Sequence, residues 1–164
     1  MDKVLTGFHG KLPVAGDFLS RGLPSGFVQF WDGWATRHLI GKAHWPHAGL
    51  RLRLASAGRA AAGVVLPGAD RVGRRFPLAA FVIAPSLPSP AALELWCDAV
   101  TLTLRAAQDQ GLSADALDGA LAEIAAPQGA TEGPPFQLWI QGHPAQSCAP
   151  EQPQDLLQQL FSCC

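Results

Sequence analysis

The longest apolar stretch of the chain, residues 76–87, sets the first constraint on its fold. A membrane-spanning helix needs about 20 apolar residues, and Pro77 and Pro85 interrupt this shorter stretch. A short run that is apolar at consecutive positions is typical of a strand covered on both faces. We therefore predict a central strand over residues 76–84 and no insertion into a membrane.

The spacing of apolar residues places the other elements. Alternation predicts strands, and recurrence at three- and four-residue spacing predicts helices. Further strands are predicted over residues 4–8, 50–57, 61–66 and 136–141. Helices are predicted over residues 25–40 with Ser25 as the cap, from Pro90 after the cap Ser89 to Gly111, over 113–125, and over 153–161. In the first helix, Trp31 and Trp34 are expected to anchor the core.

The element order predicts an α/β chain of the α+β type, with a mixed central sheet flanked by helices. Its 164 residues fit one domain, so residues 1–164 are expected to form a single unit. With 48% hydrophobic and 15% charged residues, the chain has the composition of a folded domain. The N-terminus lacks a basic segment followed by an apolar one, so no signal peptide is expected and the protein is predicted to be cytoplasmic.

Charge is distributed unevenly along the sequence. Residues 1–75 contain eleven Lys/Arg and four Asp/Glu, a net of +7, whereas residues 76–164 contain one and nine, a net of −8. Alternation with leucines places Arg51 and Arg53 on the predicted solvent face of a strand. The basic half therefore indicates a polar partner surface or pairing with the acidic half rather than nucleic-acid binding.

The sequence contains no recognisable catalytic, metal or cofactor motif. The phosphate-binding loop and the dinucleotide fingerprint are absent, and residues 54–58 lack the first glycine of a hydrolase elbow. His38, His44 and His47 have no nearby ligands to complete a metal site, so a loop histidine cluster is expected. The cysteines are expected to be free thiols, with Cys97 in the core and Cys148, Cys163 and Cys164 elsewhere. We predict no catalytic residue, no metal and no cofactor.

Polar residues concentrate in two predicted loops, the first over residues 9–24 and the second over residues 67–75. Binding residues often lie on loops held by a scaffold. The candidate partner-binding residues are Lys11, Asp17 and Arg21 of the first loop and Asp70, Arg71, Arg74 and Arg75 of the second. Their Asp/Arg mixture has two interpretations. In the first, the side chains, Asp17 and Arg71 above all, cap turns or pair with each other to hold the loops against the sheet. In the second, the arginines offer forked donors that bind a carboxylate or phosphate on a partner.

Two separated motifs resemble the TagF family, also called ImpM, of type VI secretion-associated proteins. The first motif comprises residues 7–13 (GFHGKLP), 16–18 (GDF), 21–24 (RGLP), Phe27 and 31–34 (WDGW). The second comprises residues 70–74 (DRVGR) and 76–78 (FPL). The resemblance is strong over residues 7–84, and Leu138-Trp139 is a later match. Gly68 departs from the family's pattern, which has a serine at this position.

The resemblance implies a single TagF-like domain with its sheet between helical layers, a three-layer α-β-α sandwich. It also implies a cytosolic, non-enzymatic accessory protein of a type VI secretion system that restrains assembly or firing after translation. The implied partner is a scaffold protein with a forkhead-associated domain. Some relatives are fused to a serine/threonine phosphatase domain.

Two other functions are compatible with the residues. Lys11, Asp17, Asp70, Arg71 and Arg74 could form the site of a small phosphate-ligand binding protein or an enzyme. A structural subunit of the secretion apparatus is the other possibility.

Overall fold

A computed structural model describes residues 3–56 and 58–162. Over these residues seven strands form one sheet in the order β2-β1-β5-β4-β3-β6-β7. The strands are β1 (Leu5–Gly10), β2 (Leu19–Arg21), β3 (Leu50–Ser56), β4 (Arg59–Leu66), β5 (Leu78–Ala84), β6 (Phe136–Trp139) and β7 (Gln146–Ser147). The predicted central strand is β5, which pairs with β1 on one side and β4 on the other.

The sheet is antiparallel at every strand pair, not mixed as predicted. Mixed pairing was expected because helices separate several of the strands, as in parallel crossovers. Here the strands that the helices connect are not neighbours. The first helix lies between β2 and β3, which are separated by β1, β5 and β4, and the next two lie between β5 and β6, which are separated by β4 and β3. The α+β class itself is confirmed.

Four helices complete the described fold: α1 (Ser25–His38), α2 (Pro90–Gln110), α3 (Ala114–Ala122) and α4 (Gln154–Phe161). The signals at both ends of α2 are confirmed: Ser89 Oγ accepts a hydrogen bond from the Ala92 amide at 3.3 Å, and Gly111 ends the helix at φ 66°. For α1 the cap position is Pro24 rather than Ser25, and no side chain caps the helix. No helix in the described ranges is long and apolar enough to cross a membrane.

Apolar residues form two core clusters on opposite faces of the sheet. Successive residues of a strand point to opposite faces, so Val64 and Val65 of β4 belong to different clusters. The cluster around Val64 contains residues of α2 and α3, and that around Val65 contains residues of α1 and α4. Trp31 and Trp34 are buried in the second cluster, as predicted. Helical residues therefore pack on both faces of the sheet.

Arg51 is buried beneath α2 and does not face solvent as predicted. Its side chain is 0% exposed and donates hydrogen bonds to Glu94 at 2.6 Å and Asp98 at 2.8 Å. Alternation correctly places Arg51 opposite the leucines, but α2 covers that face too. Burial alone would lower the pKa of Arg51, but the hydrogen bonds to Glu94 and Asp98 keep this pKa above its ordinary value.

Arg53 is also buried, at 3% exposure, and its partners are backbone carbonyls. It donates to the carbonyl oxygens of Pro88 and Leu87 at 2.9 Å and of Thr131 at 2.5 Å. Because no carboxylate compensates its burial, the pKa of Arg53 is lowered. Arg51 attaches β3 to α2, and Arg53 attaches it to the segment before α2 and to Thr131, which follows α3. Pairing between the basic and acidic halves is therefore confirmed at Arg51.

We predict that Arg51→Ala lowers the free energy of unfolding by about 3 kcal/mol, because it leaves Glu94 and Asp98 partly buried without their cation. Urea denaturation measures this change. The control Arg59→Ala removes an arginine whose side chain donates to the Lys3 carbonyl, and should change the free energy by about 0.5 kcal/mol or less. A loss below about 1 kcal/mol for Arg51→Ala, the range of a surface ion pair, would contradict this account.

Candidate functional site

The carboxylate of Asp70 joins the two loops that the sequence singled out. Its side chain is 0% exposed. Asp70 Oδ1 accepts hydrogen bonds from the amides of Val72 at 3.0 Å and Arg74 at 2.9 Å, which fold the second loop around it. Asp70 Oδ2 accepts from Arg74 Nε at 2.8 Å and lies 3.4 Å from Lys11 Nζ of the first loop. We call Lys11, Asp70 and Arg74 the loop clamp.

Further bonds connect the loops through their backbones. The Arg74 guanidinium also donates to the Gly16 carbonyl at 2.5 Å. The Arg71 amide donates to the Ala15 carbonyl at 2.7 Å. The turn itself requires Gly73, which has φ +87° and donates to the Asp70 carbonyl at 3.0 Å. The interpretation that these residues hold the loops is therefore correct for the loop clamp.

An aromatic cluster underlies the loop clamp. The Phe18 and Phe76 rings meet edge to face at 4.9 Å, and the His9 ring stacks on Phe18 at 5.8 Å. Lys11 Nζ lies 4.8 Å from the centre of the Phe18 ring. His9 Nε2 lies 2.9 Å from Asp32 Oδ2 of α1, which connects the cluster to that helix. Sequence reasoning did not select His9, Phe18, Phe76 or Asp32 as site residues, although each lies within a quoted motif.

Arg71 and Arg75 remain available to a partner. Both are exposed, and within the described ranges neither guanidinium makes a hydrogen bond or ion pair. The Arg71 guanidinium lies against Gly16, where an added Cβ would be 3.1 Å from it. Beside it, Val72 is 68% exposed. The second loop thus presents two unpaired cations and an apolar side chain.

The remaining candidate residues lie outside the loop clamp. Arg21 Nε donates to Asp115 of α3 at 3.2 Å, a second pairing between the basic and acidic halves. Asp17 is exposed and accepts a hydrogen bond from the Phe18 amide at 2.7 Å, so it shapes the local turn. The seven candidates therefore divide into three that form the loop clamp, two exposed cations and two that lie elsewhere.

Gly68, the departure from the family's pattern, lies where a side chain has no room. An added Cβ would lie 2.7 Å from the Phe76 carbonyl oxygen and 3.2 Å from the Lys11 carbonyl oxygen. Its own carbonyl accepts from the Phe76 amide at 3.1 Å. Serine at this position would require the backbone to shift.

The electrostatics of Asp70 follow from its donors. Burial alone would raise the pKa of this carboxyl, but hydrogen bonds from Arg74, Lys11 and the Val72 amide lower it to about 2. Asp70 is therefore an anion throughout the physiological pH range.

The structure also shows the state of the cysteines and tests for a metal-binding cluster. Cys97 and Cys148 are free, and Cys97 belongs to the core, where burial raises the pKa of its thiol to about 12. Cys163 and Cys164 lie outside the described residues. Among the residues that the structure describes, no group of three or more His, Cys, Asp or Glu is arranged to hold a metal ion.

Both loops belong to a known family domain. A sequence model of the TagF N-terminal domain, described as type VI secretion system-associated, matches residues 7–124. The chain belongs to this family. The match includes the loop clamp and continues through α2 and α3, beyond the region in which the motifs resemble the family strongly. The chain is therefore a type VI secretion-associated protein.

A solved structure has a similar fold and sequence. The crystal structure of PA0076 from Pseudomonas aeruginosa PAO1 is similar to this fold, with a TM-score of 0.64 and 30% sequence identity. The alignment covers 97% of this chain and 78% of that one. No curated protein sequence matches the chain.

We predict that Arg74→Ala lowers the melting temperature by several degrees. The substitution removes two hydrogen bonds at once, one to the buried Asp70 carboxylate and one to the Gly16 carbonyl. Arg71→Ala is the matched control, since it removes an exposed arginine of the same loop and should leave the melting temperature nearly unchanged. Differential scanning fluorimetry measures both. Equal melting temperatures for the two variants would refute the loop clamp.

Acid should weaken the loop clamp in a specific pH range. The pKa of Asp70 is lower in the folded chain than in the unfolded chain, so its contribution to stability is complete above about pH 4 and is lost as pH falls through about 2. The melting temperature of the wild type should therefore fall more steeply over this range than that of Asp70→Asn. Asp109→Asn, at an exposed position, should follow the wild type, and parallel curves for all three would contradict the prediction.

Proposed function

We propose that this protein is a non-enzymatic, cytoplasmic regulator of a type VI secretion system. It acts after translation as a repressor of assembly or firing, by binding a scaffold protein with a forkhead-associated domain. The observation that carries the proposal is the presentation of Arg71 on a loop held rigid by a buried carboxylate. The resemblance to the TagF family supports the repressive direction and the class of partner.

Rigid presentation favours binding between proteins. A loop that is already fixed in its bound shape loses less conformational entropy on association. The backbone of Arg71 is fixed at its amide by Ala15, and the turn that follows is fixed by Asp70. Only the Arg71 side chain has to be ordered when a partner binds.

The chemistry of the exposed tip suits an acidic partner surface. The guanidinium offers forked donors that match a carboxylate or phosphate. Val72 adds an apolar contact beside it. Arginines surrounded by apolar contacts are frequent among the residues that dominate binding energy at protein interfaces. The phosphate-ligand alternative also needs Lys11 and Arg74, but both of these cations are paired with Asp70. The geometry therefore favours a partner interface over a phosphate pocket at the loop clamp.

We predict that Arg71→Glu lowers capture of the forkhead-associated scaffold at least tenfold without altering the melting temperature. The measurement is a pull-down from the native host's lysate with mass spectrometry. The matched control is Arg59→Glu, which makes the same charge change at the start of β4. This variant should capture the scaffold like the wild type.

Two outcomes would contradict the proposal in different ways. Equal capture by Arg71→Glu would place the interface elsewhere on the protein. Absence of any secretion component from the wild-type capture would contradict the regulatory function. A thermal-shift screen with nucleotides and phosphorylated metabolites then tests the ligand-binding alternative, since a ligand at 100 times its dissociation constant stabilises a protein by about 2.7 kcal/mol.

A further inference from the structure

A cavity lies beside the aromatic cluster and shares the Phe76 side chain with it. Its volume is about 450 Å³, within the roughly 300–1,000 Å³ range of small-ligand sites. One wall is the segment that follows α1, residues 39–45, and the other is formed by residues 67–69 and 75–77 around the second loop. The cavity is thus adjacent to the loop clamp but does not include Asp70 or Arg71.

The interior of the cavity is aromatic and rigid. The Trp45 indole packs against Phe161 of α4 edge to face, with ring centres 5.0 Å apart. The Phe76 ring contacts the Phe18 ring edge to face, with ring centres 4.9 Å apart. Pro77 adds a further fixed apolar surface. These groups offer surfaces against which a flat ligand can stack without reorganisation of the protein.

The polar lining of the cavity consists of basic side chains. Lys42, His44 and Arg75 line it, and none of the described residues that line it is acidic. Arg75 is unpaired within the described ranges, and its backbone is fixed by an antiparallel bridge to Ala69. Lys42 Nζ lies 5.9 Å from the centre of the Phe161 ring, the ring that also packs against Trp45. A guanidinium on a fixed backbone and an ammonium beside an apolar wall are groups that bind an oxyanion.

Two backbone positions give the cavity its shape. His44 adopts φ 55°, a left-handed conformation that a non-glycine residue rarely adopts. Gly68 lies in the opposite wall, where an added Cβ would clash with the Phe76 carbonyl. A backbone conformation like that of His44 persists where the surroundings fix it, and such conformations concentrate at binding sites.

We propose that this cavity binds an oxyanion attached to an aromatic or branched apolar group. The apolar group stacks between Trp45 and Phe76, and the carboxylate or phosphate is held by Arg75 and Lys42. This chemistry has two sources: a free aromatic anion, or an acidic segment of a protein with an aromatic side chain. The site is separate from the exposed Arg71, so it does not depend on the proposed regulatory function.

The test is a titration followed by two-dimensional ¹H–¹⁵N NMR. The probes are phenyl phosphate for the free anion and the blocked tripeptide acetyl-Phe-Asp-Asp-amide for the protein segment. The reporters are the amides of Gly41 and Gly68 and the indole N–H of Trp45, assigned with Trp45→Phe. Benzyl alcohol and benzyltrimethylammonium, which lack the anionic group, are the control ligands.

We expect saturable shifts of these reporters with at least one anionic probe, and affinity at least tenfold weaker for both control ligands. The probe that binds more tightly identifies the source of the ligand. Arg75→Glu should weaken binding at least tenfold, whereas Arg59→Glu should not change it. If Arg75→Glu fails to fold, Lys42→Glu provides the same comparison.

Three results would overturn the proposal. The first is the absence of saturable shifts with both anionic probes. The second is equal affinity for the anionic and the control ligands. The third is unchanged binding of the anionic probes to a folded Arg75→Glu or Lys42→Glu variant. None of these results bears on capture of the scaffold by Arg71, so the two proposals fail independently.

Discussion

The hydrogen bonds to the buried carboxylate of Asp70 determine the shape of the surface that this protein offers. A buried carboxylate without donors would be strongly destabilising. Two amides and the side chains of Arg74 and Lys11 supply those donors, and they come from both loops. The second loop is therefore closed around an anion and attached to the first loop. Arg71 and Arg75 of the same loop are exposed, and no group in the described fold pairs with either guanidinium.

A second electrostatic constraint operates on the sheet face beneath α2. Arg51 is fully buried and relies on Glu94 and Asp98 for compensation. The same Glu94 carboxylate accepts a hydrogen bond from the Trp139 indole at 2.8 Å, so one anion joins β3, α2 and β6. The opposite net charges of the two halves of the sequence meet in the interior at Arg51 and at the surface in the pair of Arg21 with Asp115. Only the cations that remain, such as Arg71 and Arg75, are left for recognition.

Much of the fold is predictable from local patterns, and the failures have physical causes. Capping at Ser89 and Gly111, the buried tryptophans of α1 and the interior strand β5 follow from spacing and turn chemistry. The short strands β2 and β7 do not, because three and two residues show no alternation and gain their structure from the neighbouring strand. Arg51 and Arg53 were placed on the solvent face because alternation identifies a face but not what covers it. At the site, the two loops that the sequence singled out lie in contact, but the division between clamping and exposed arginines depends on tertiary distances.

Amide hydrogen exchange tests the loop clamp most directly. We compare the wild type with Asp70→Asn at the amides of Arg71, Val72 and Arg74, with Val82 of β5 as the internal reference. The account predicts that the substitution accelerates exchange at the three loop amides at least tenfold and leaves Val82 unchanged. Unchanged exchange at all four amides would contradict the claim that the Asp70 carboxylate holds the loops in place.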